Sequence, residues 1–231
     1  MTPAREARTG VLGGTFDPIH AGHLDVADAA RTELALDEVW LVPSCVPPHR
    51  MAGPHASVHH RFAMVALAAA DRPGIVASDL ELQAPGPSFT SATLNRLAAT
   101  GRRPWQLFFI TGADAFEEIT TWRDYPDILD RAHFVVISRP GTPVGSLRRR
   151  LPALAPRMIG PDADLERRLV AGGATGVFLL DAATADVSST DIRRRVASGG
   201  SLAGLVPAGV ETYIRRHRLY ATSSPADDLH D

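Results

Sequence analysis

The chain has 231 residues, 45% of them hydrophobic, and a formal net charge of −2; this suits one α/β domain with a sizeable core and excludes a strongly basic nucleic-acid binder or a disordered acidic chain. All 24 basic residues are arginine, so a Walker A loop, a Schiff base and a lysine nucleophile are excluded. No apolar run has the length of a membrane span, the N-terminus shows no signal-peptide core, and the single cysteine, Cys45, allows no intrachain disulfide, so a cytoplasmic location is expected.

In chain order, a strand at 9–13 is followed by the glycine turn Gly13-Gly14 and by a helix at 22–34 with apolar positions Leu24, Ala27, Ala30 and Leu34. A strand at 38–43 leads into 43–57, where four prolines and Gly53 predict an irregular loop. A helix at 58–70, a strand at 75–78 and a helix at 89–99 come next. The continuous apolar runs 107–110 and 134–137 mark strands 106–111 and 133–138 as buried on both faces. Helices are expected at 114–119 and 124–130 between them. Residues 139–162 read as irregular with one short helix, then a strand at 177–180 and helices at 189–198 and 208–217 complete the pattern. Strands alternating with helices predict an α/β fold, a doubly wound parallel sheet. The domain is placed at 8–220, and 221–231 as a mobile tail.

Three segments carry chemistry. In Gly13-Gly14-Thr15-Phe16-Asp17-Pro18-Ile19-His20-Ala21-Gly22-His23, glycines let the backbone approach a ligand and a helix N-terminus attracts anions, so His20 and His23 fall where a phosphate would lie. Zinc is the rival reading for two histidines three apart, but no nearby Cys, Asp or Glu pattern completes such a site. Ser188-Ser189-Thr190 with Arg193 reads either as a plain helix cap or as a polyphosphate clamp. Asp114 follows a strand end, at the ligand-binding edge of such sheets, and could equally be a helix cap. His55, His59 and His60, and Arg148 to Arg150, are read as solvated.

The first segment resembles the signature of the HxGH nucleotidyltransferase superfamily, in the form used by nicotinate/nicotinamide mononucleotide adenylyltransferases. Val187-Ser-Ser-Thr-Asp-Ile-Arg193 resembles that family's ISSTxIR, Pro47-Pro-His-Arg50 its PPHK, Ser88-Phe-Thr90-Ser-Ala-Thr93-Leu94 its PSxTxxTL segment, and Thr121-Trp122 its TW. The resemblance spans residues 8–220 and implies a Rossmann-like fold. It also implies adenylyl transfer from ATP to nicotinate mononucleotide, giving deamido-NAD and pyrophosphate. His20 and His23 would then be catalytic. Gly13, Gly14, Thr15, Phe16, Gly112, Asp114, Ser188, Ser189, Thr190 and Arg193 would bind ATP, and His49, Arg50, Thr90 and Trp122 the mononucleotide. Mg²⁺ is expected with ATP and no metal in a protein-built site; neither nucleic acid nor membrane is an expected partner. The alternatives are a pantetheine-phosphate adenylyltransferase, a cytidylyltransferase, or a nucleotide-sensing module without turnover.

Overall fold

The computed structural model describes residues 6–47, 53–82, 84, 86–138, 143–160 and 174–221. Among them, seven strands form one parallel sheet: β1 (Thr9–Gly14), β2 (Glu38–Pro43), β3 (Ile75–Ala77), β4 (Leu107–Gly112), β5 (His133–Ile137), β6 (Met158–Ile159) and β7 (Val177–Leu180). Their order is β3-β2-β1-β4-β5-β7-β6. The chain winds outward from β1 in one direction and from β4 in the other, so the strand order reverses between β1 and β4. In sheets of this kind that reversal opens a crevice at the carboxyl ends of the two strands.

The helices are α1 (Ala21–Glu33), α2 (Val58–Ala69), α3 (Thr90–Ala99), α4 (Ala113–Phe116), α5 (Leu147–Arg150), α6 (Ser189–Ala197) and α7 (Ala208–Arg216). They pack on both faces because successive strand side chains point to opposite sides. Leu12, Phe108, Ile110 and Val135 meet Leu24, Met64, Ile192 and Val210 on one face. Val11, Phe109, Phe134 and Val136 meet Leu94, Leu97 and Phe116 on the other. All six expected strands are present within a residue or two.

Three expectations change. The helix expected at 124–130 is only a 3₁₀ turn, Asp127–Asp130, because Pro126 lacks an N–H and Asp124 has a left-handed φ of 64°. The helix expected at 114–119 stops at Phe116 and resumes as a 3₁₀ turn, Ile119–Thr121. The two-residue edge strand β6 lies within the segment read as irregular, too short for any periodic signal. Residues 222–231, most of the expected tail, are outside the described residues.

His133 on β5 is buried, and its Nδ1 accepts the Gly176 N–H at 3.0 Å. Burial first, and the charge of Arg8 second, lower its pKa to about 4 from 6.5. A depressed folded-state value means that the unfolded chain takes up the proton first as pH falls. Stability is therefore full above pH 6.5 and declines towards pH 4, by roughly 3 kcal/mol. Denaturation across that range should show a steeper pH slope in the wild type than in His133→Leu. Equal slopes would remove His133 as the cause.

Candidate active site

The glycine turn occupies the crevice. After β1 ends at Gly14, Phe16 takes a left-handed φ of 49° and the Asp17–Pro18 bond is cis, and the chain enters α1 with His20 as its N-cap. His20 and His23 therefore share the first turn. Their rings stack with centroids 3.6 Å apart and planes 25° from parallel, and Phe16 meets the His23 ring edge-on at 5.0 Å. Gly22 is needed between them: a Cβ there would sit 2.9 Å from the Ala185 carbonyl oxygen and 3.4 Å from the His20 ring. The start of α1 is less open to an anion than the sequence suggests, since the Ala21 N–H donates to the Leu205 carbonyl at 2.8 Å. What faces the crevice is the His23 ring and the backbone from Gly13 to Thr15.

A cavity of about 470 Å³ extends from this turn across the end of β4. Gly13, Gly14, Thr15 and His23 from the turn, Gly112 and the exposed Asp114 from the end of β4 and the start of α4, and Thr90 and Trp122 line it together. Eight of the residues singled out in the sequence thus share one cavity. Buried His20 supports His23 by stacking from behind. Trp122 is half-buried, standing perpendicular to Phe109 at 6.1 Å, so it is both core and cavity wall. His49 and Arg50 lie outside the described residues. Glu81, hydrogen-bonded by the Thr93 hydroxyl, and Arg123 also line the cavity and were not foreseen.

The second motif reaches the turn by another route. Ser188 caps α6, accepting from the Asp191 N–H at 3.1 Å, as the plain helix-start reading requires. Ser189 donates to the Pro18 carbonyl at 2.9 Å, and Arg193 donates to the Asp17 carbonyl at 2.7 Å and to Thr190 Oγ1 at 3.1 Å. None of these four residues lines the cavity. Arg193 and Ser189 hold the first motif against the second.

Two buried charges fix the turn, and neither was singled out. The Asp17 carboxylate is fully buried and accepts the N–H groups of His55 (2.8 Å) and Ala56 (3.1 Å) and the Tyr220 hydroxyl (2.8 Å). Burial alone would raise its pKa, but these hydrogen bonds and the Arg193 charge outweigh it and hold the carboxyl below 3.8. Arg61 is 1% exposed and donates to the carbonyls of Thr15 (2.6 Å), Ser44 (2.8 Å) and Ala56 (3.2 Å). Its position was legible in principle: Arg61, Met64, Val65 and Ala68 share the buried stripe of α2, and an arginine on an apolar stripe needs acceptors there.

Comparison with known proteins agrees with this geometry. A family model described as cytidylyltransferase-like matches residues 11–195. A probable nicotinate-nucleotide adenylyltransferase of Desulfatibacillum aliphaticivorans is 41% identical over 92% of this chain and 99% of its own length. One from Symbiobacterium thermophilum is 41% identical over 93% and 95%, respectively. The fold is shared with the Plasmodium falciparum nicotinic acid mononucleotide adenylyltransferase complexed with NaAD (TM-score 0.67, 17% identity, 93% of this chain and 98% of that one). Its complex with APC superposes with a TM-score of 0.66 at 18% identity. Among the described residues no helix is long and apolar enough to cross a membrane. The chain belongs to the cytidylyltransferase-like family, in its nicotinate-nucleotide adenylyltransferase branch.

Proposed function

We infer that this chain transfers the adenylyl group of ATP to nicotinate mononucleotide, releasing deamido-NAD and pyrophosphate, as a cytoplasmic enzyme. The observation that carries this is one cavity lined jointly by a glycine turn with an imidazole, His23, and by an indole, Trp122, with the start of α3 at Thr90. A 5′-phosphate oxygen of the mononucleotide attacks the α-phosphorus of ATP, and the bond from that phosphorus to the bridging oxygen of pyrophosphate breaks. No protein nucleophile is required. The chain's task is to align two anions and offset the charge that builds on the α-phosphate.

Each residue has a part in this reading. His23 supplies a ring N–H donor at the α-phosphate, with His20 stacked against it as the second catalytic histidine, Phe16 bracing it and the Gly13–Thr15 backbone shaping the approach. Asp114, exposed above the end of β4, accepts from the ATP ribose. Thr190 and Arg193, which stand beside the turn rather than in the cavity wall, would take terminal phosphates that extend past it to the start of α6, a nine-residue helix whose N-terminal partial charge favours anions. Mg²⁺ would arrive on ATP, held by phosphate oxygens rather than by a dedicated protein cage. The ion would lower the repulsion between the two phosphate groups.

The acid form of the pyridine ring is favoured by α3. Its first residue, Thr90, lines the same cavity as Trp122, and a helix N-terminus with a hydroxyl suits a carboxylate better than an amide. Pyrophosphate release measured in parallel with nicotinate and nicotinamide mononucleotides tests the proposal. At least tenfold preference for the acid is expected, about 1.4 kcal/mol. Release with neither substrate would overturn it and leave a nucleotidyltransferase of another acceptor or the nucleotide-sensing module.

Trp122→Ala separates the two ends of the cavity. Loss of stacking should raise the KM for the mononucleotide about tenfold while the KM for ATP stays nearly constant. Loss of the edge contact with Phe109 also lowers the melting temperature. If melting falls while both Michaelis constants keep their ratio, Trp122 is core alone.

A further inference from the structure

A tyrosine outside both motifs reaches the catalytic turn. The helix α7 ends with His217 as its cap, and Arg218 takes a left-handed φ of 51° while the Leu219 N–H donates back to the Ile214 carbonyl at 3.0 Å. That is an ordinary helix stop. Two residues on, Tyr220 is left-handed again, with φ of 62°, and no helix end calls for it. This is an unfavourable conformation for a bulky side chain and persists only where surrounding contacts enforce it. Its ring packs against the core on one face of the sheet, and its hydroxyl donates to Asp17 Oδ1 at 2.8 Å across 203 positions of sequence.

We propose that Tyr220 is a positioning residue for adenylyl transfer, whose hydroxyl, through Asp17, holds the histidine turn in register with the second motif. Asp17 is where the segments meet: its side chain takes the Tyr220 hydroxyl and the His55 and Ala56 N–H groups, and its carbonyl takes Arg193. It lies three residues before His20, and its neighbour Pro18 accepts from Ser189. Removing one of the fixed points on this carboxylate frees the turn to shift relative to Arg193. Displacements well below the size of an atom lower turnover, because donors act only at the geometry the transition state needs. Ground-state affinity, spread over many contacts, changes less.

The inference rests on the adenylyl-transfer reading, and the test separates the two. Tyr220→Phe keeps the ring and loses only the hydroxyl. At a temperature where the variant is fully folded, its kcat should fall about tenfold with both Michaelis constants within about twofold of wild type. Tyr213→Phe is the control, since it removes a comparable hydroxyl bond, 2.9 Å to His60 Nδ1, that does not touch the turn; its kcat should match wild type. Wild-type turnover in Tyr220→Phe, whatever its melting temperature, overturns the proposal, as does an equal fall in both variants. If the wild type itself releases no pyrophosphate, the functional reading fails. The clasp is then judged by the imidazole resonances of His20 and His23, which should move in Tyr220→Phe and stay in place in Tyr213→Phe. Unmoved resonances in Tyr220→Phe overturn it.

Discussion

Replacing His23 by alanine is expected to lower kcat by a factor of about 10²–10³ while the KM for ATP changes little. The ring lines the cavity, is backed by His20 at 3.6 Å and is braced edge-on by Phe16 at 5.0 Å, so it is held in place before substrate arrives. A donor fixed in advance acts mainly when charge develops on the α-phosphate, which is why the loss belongs in kcat. The same substitution removes a ring from a packed stack, and a small fall in melting temperature is expected with it. Steady-state kinetics on the folded variant decide the matter: turnover within about threefold of wild type would be far below the cost of losing such a donor. If the two histidines instead held zinc, metal analysis of the purified protein would find about one equivalent; the expected result is none.

Arg61→Met is expected to cost on the order of 3–5 kcal/mol of stability, a large share of the roughly 5–15 kcal/mol that holds a typical domain. The reason lies in what the guanidinium leaves behind. It satisfies the carbonyls of Thr15, Ser44 and Ala56 from a buried position, and methionine fills its volume but can donate to none of them. Arg61→Lys should recover only part, because a single ammonium cannot reproduce a planar fork that spans the carbonyls of Thr15, Ser44, Cys45 and Ala56. Urea unfolding should show a lower midpoint with an unchanged slope. A loss below about 1 kcal/mol, like that of an exposed arginine such as Arg149, would mean that water replaces these bonds without cost. The folded variant should also turn over slowly, since one of these carbonyls belongs to the glycine turn itself.

Much of this protein was legible along the chain. The buried runs Leu107–Ile110 and Phe134–Ile137 announce strands covered on both faces, and the structure shows their side chains alternating between the two cores. The glycine turn, His23, Asp114, Thr90 and Trp122 were all placed at strand ends or helix starts, and they line one cavity. These features depend on local spacing: period two sends side chains to opposite faces, and a glycine turn after a strand puts backbone N–H groups at the sheet edge. The reduction of the helix expected at 124–130 to a 3₁₀ turn and the edge strand β6 were not visible, because a left-handed residue and a two-residue strand leave no periodic trace.

Which distant groups meet is settled by packing in three dimensions. Alternation of strands and helices predicts a parallel sheet, but the order β3-β2-β1-β4-β5-β7-β6 is what sets β1 beside β4 and opens the crevice between them. Arg193 and Ser189 read as phosphate ligands or a helix start, and their contacts with Asp17 and Pro18 span more than 170 positions of sequence. Asp17 and Tyr220 carry no signal of their own, since a carboxylate in a turn and a tyrosine after a helix are ordinary in isolation. Buried polar partners are chosen by proximity after folding, not by spacing along the chain. The sequence therefore determined the chemistry available to the site, and the packing of α6, α7 and the segment that follows them against the turn decided which groups hold it in place.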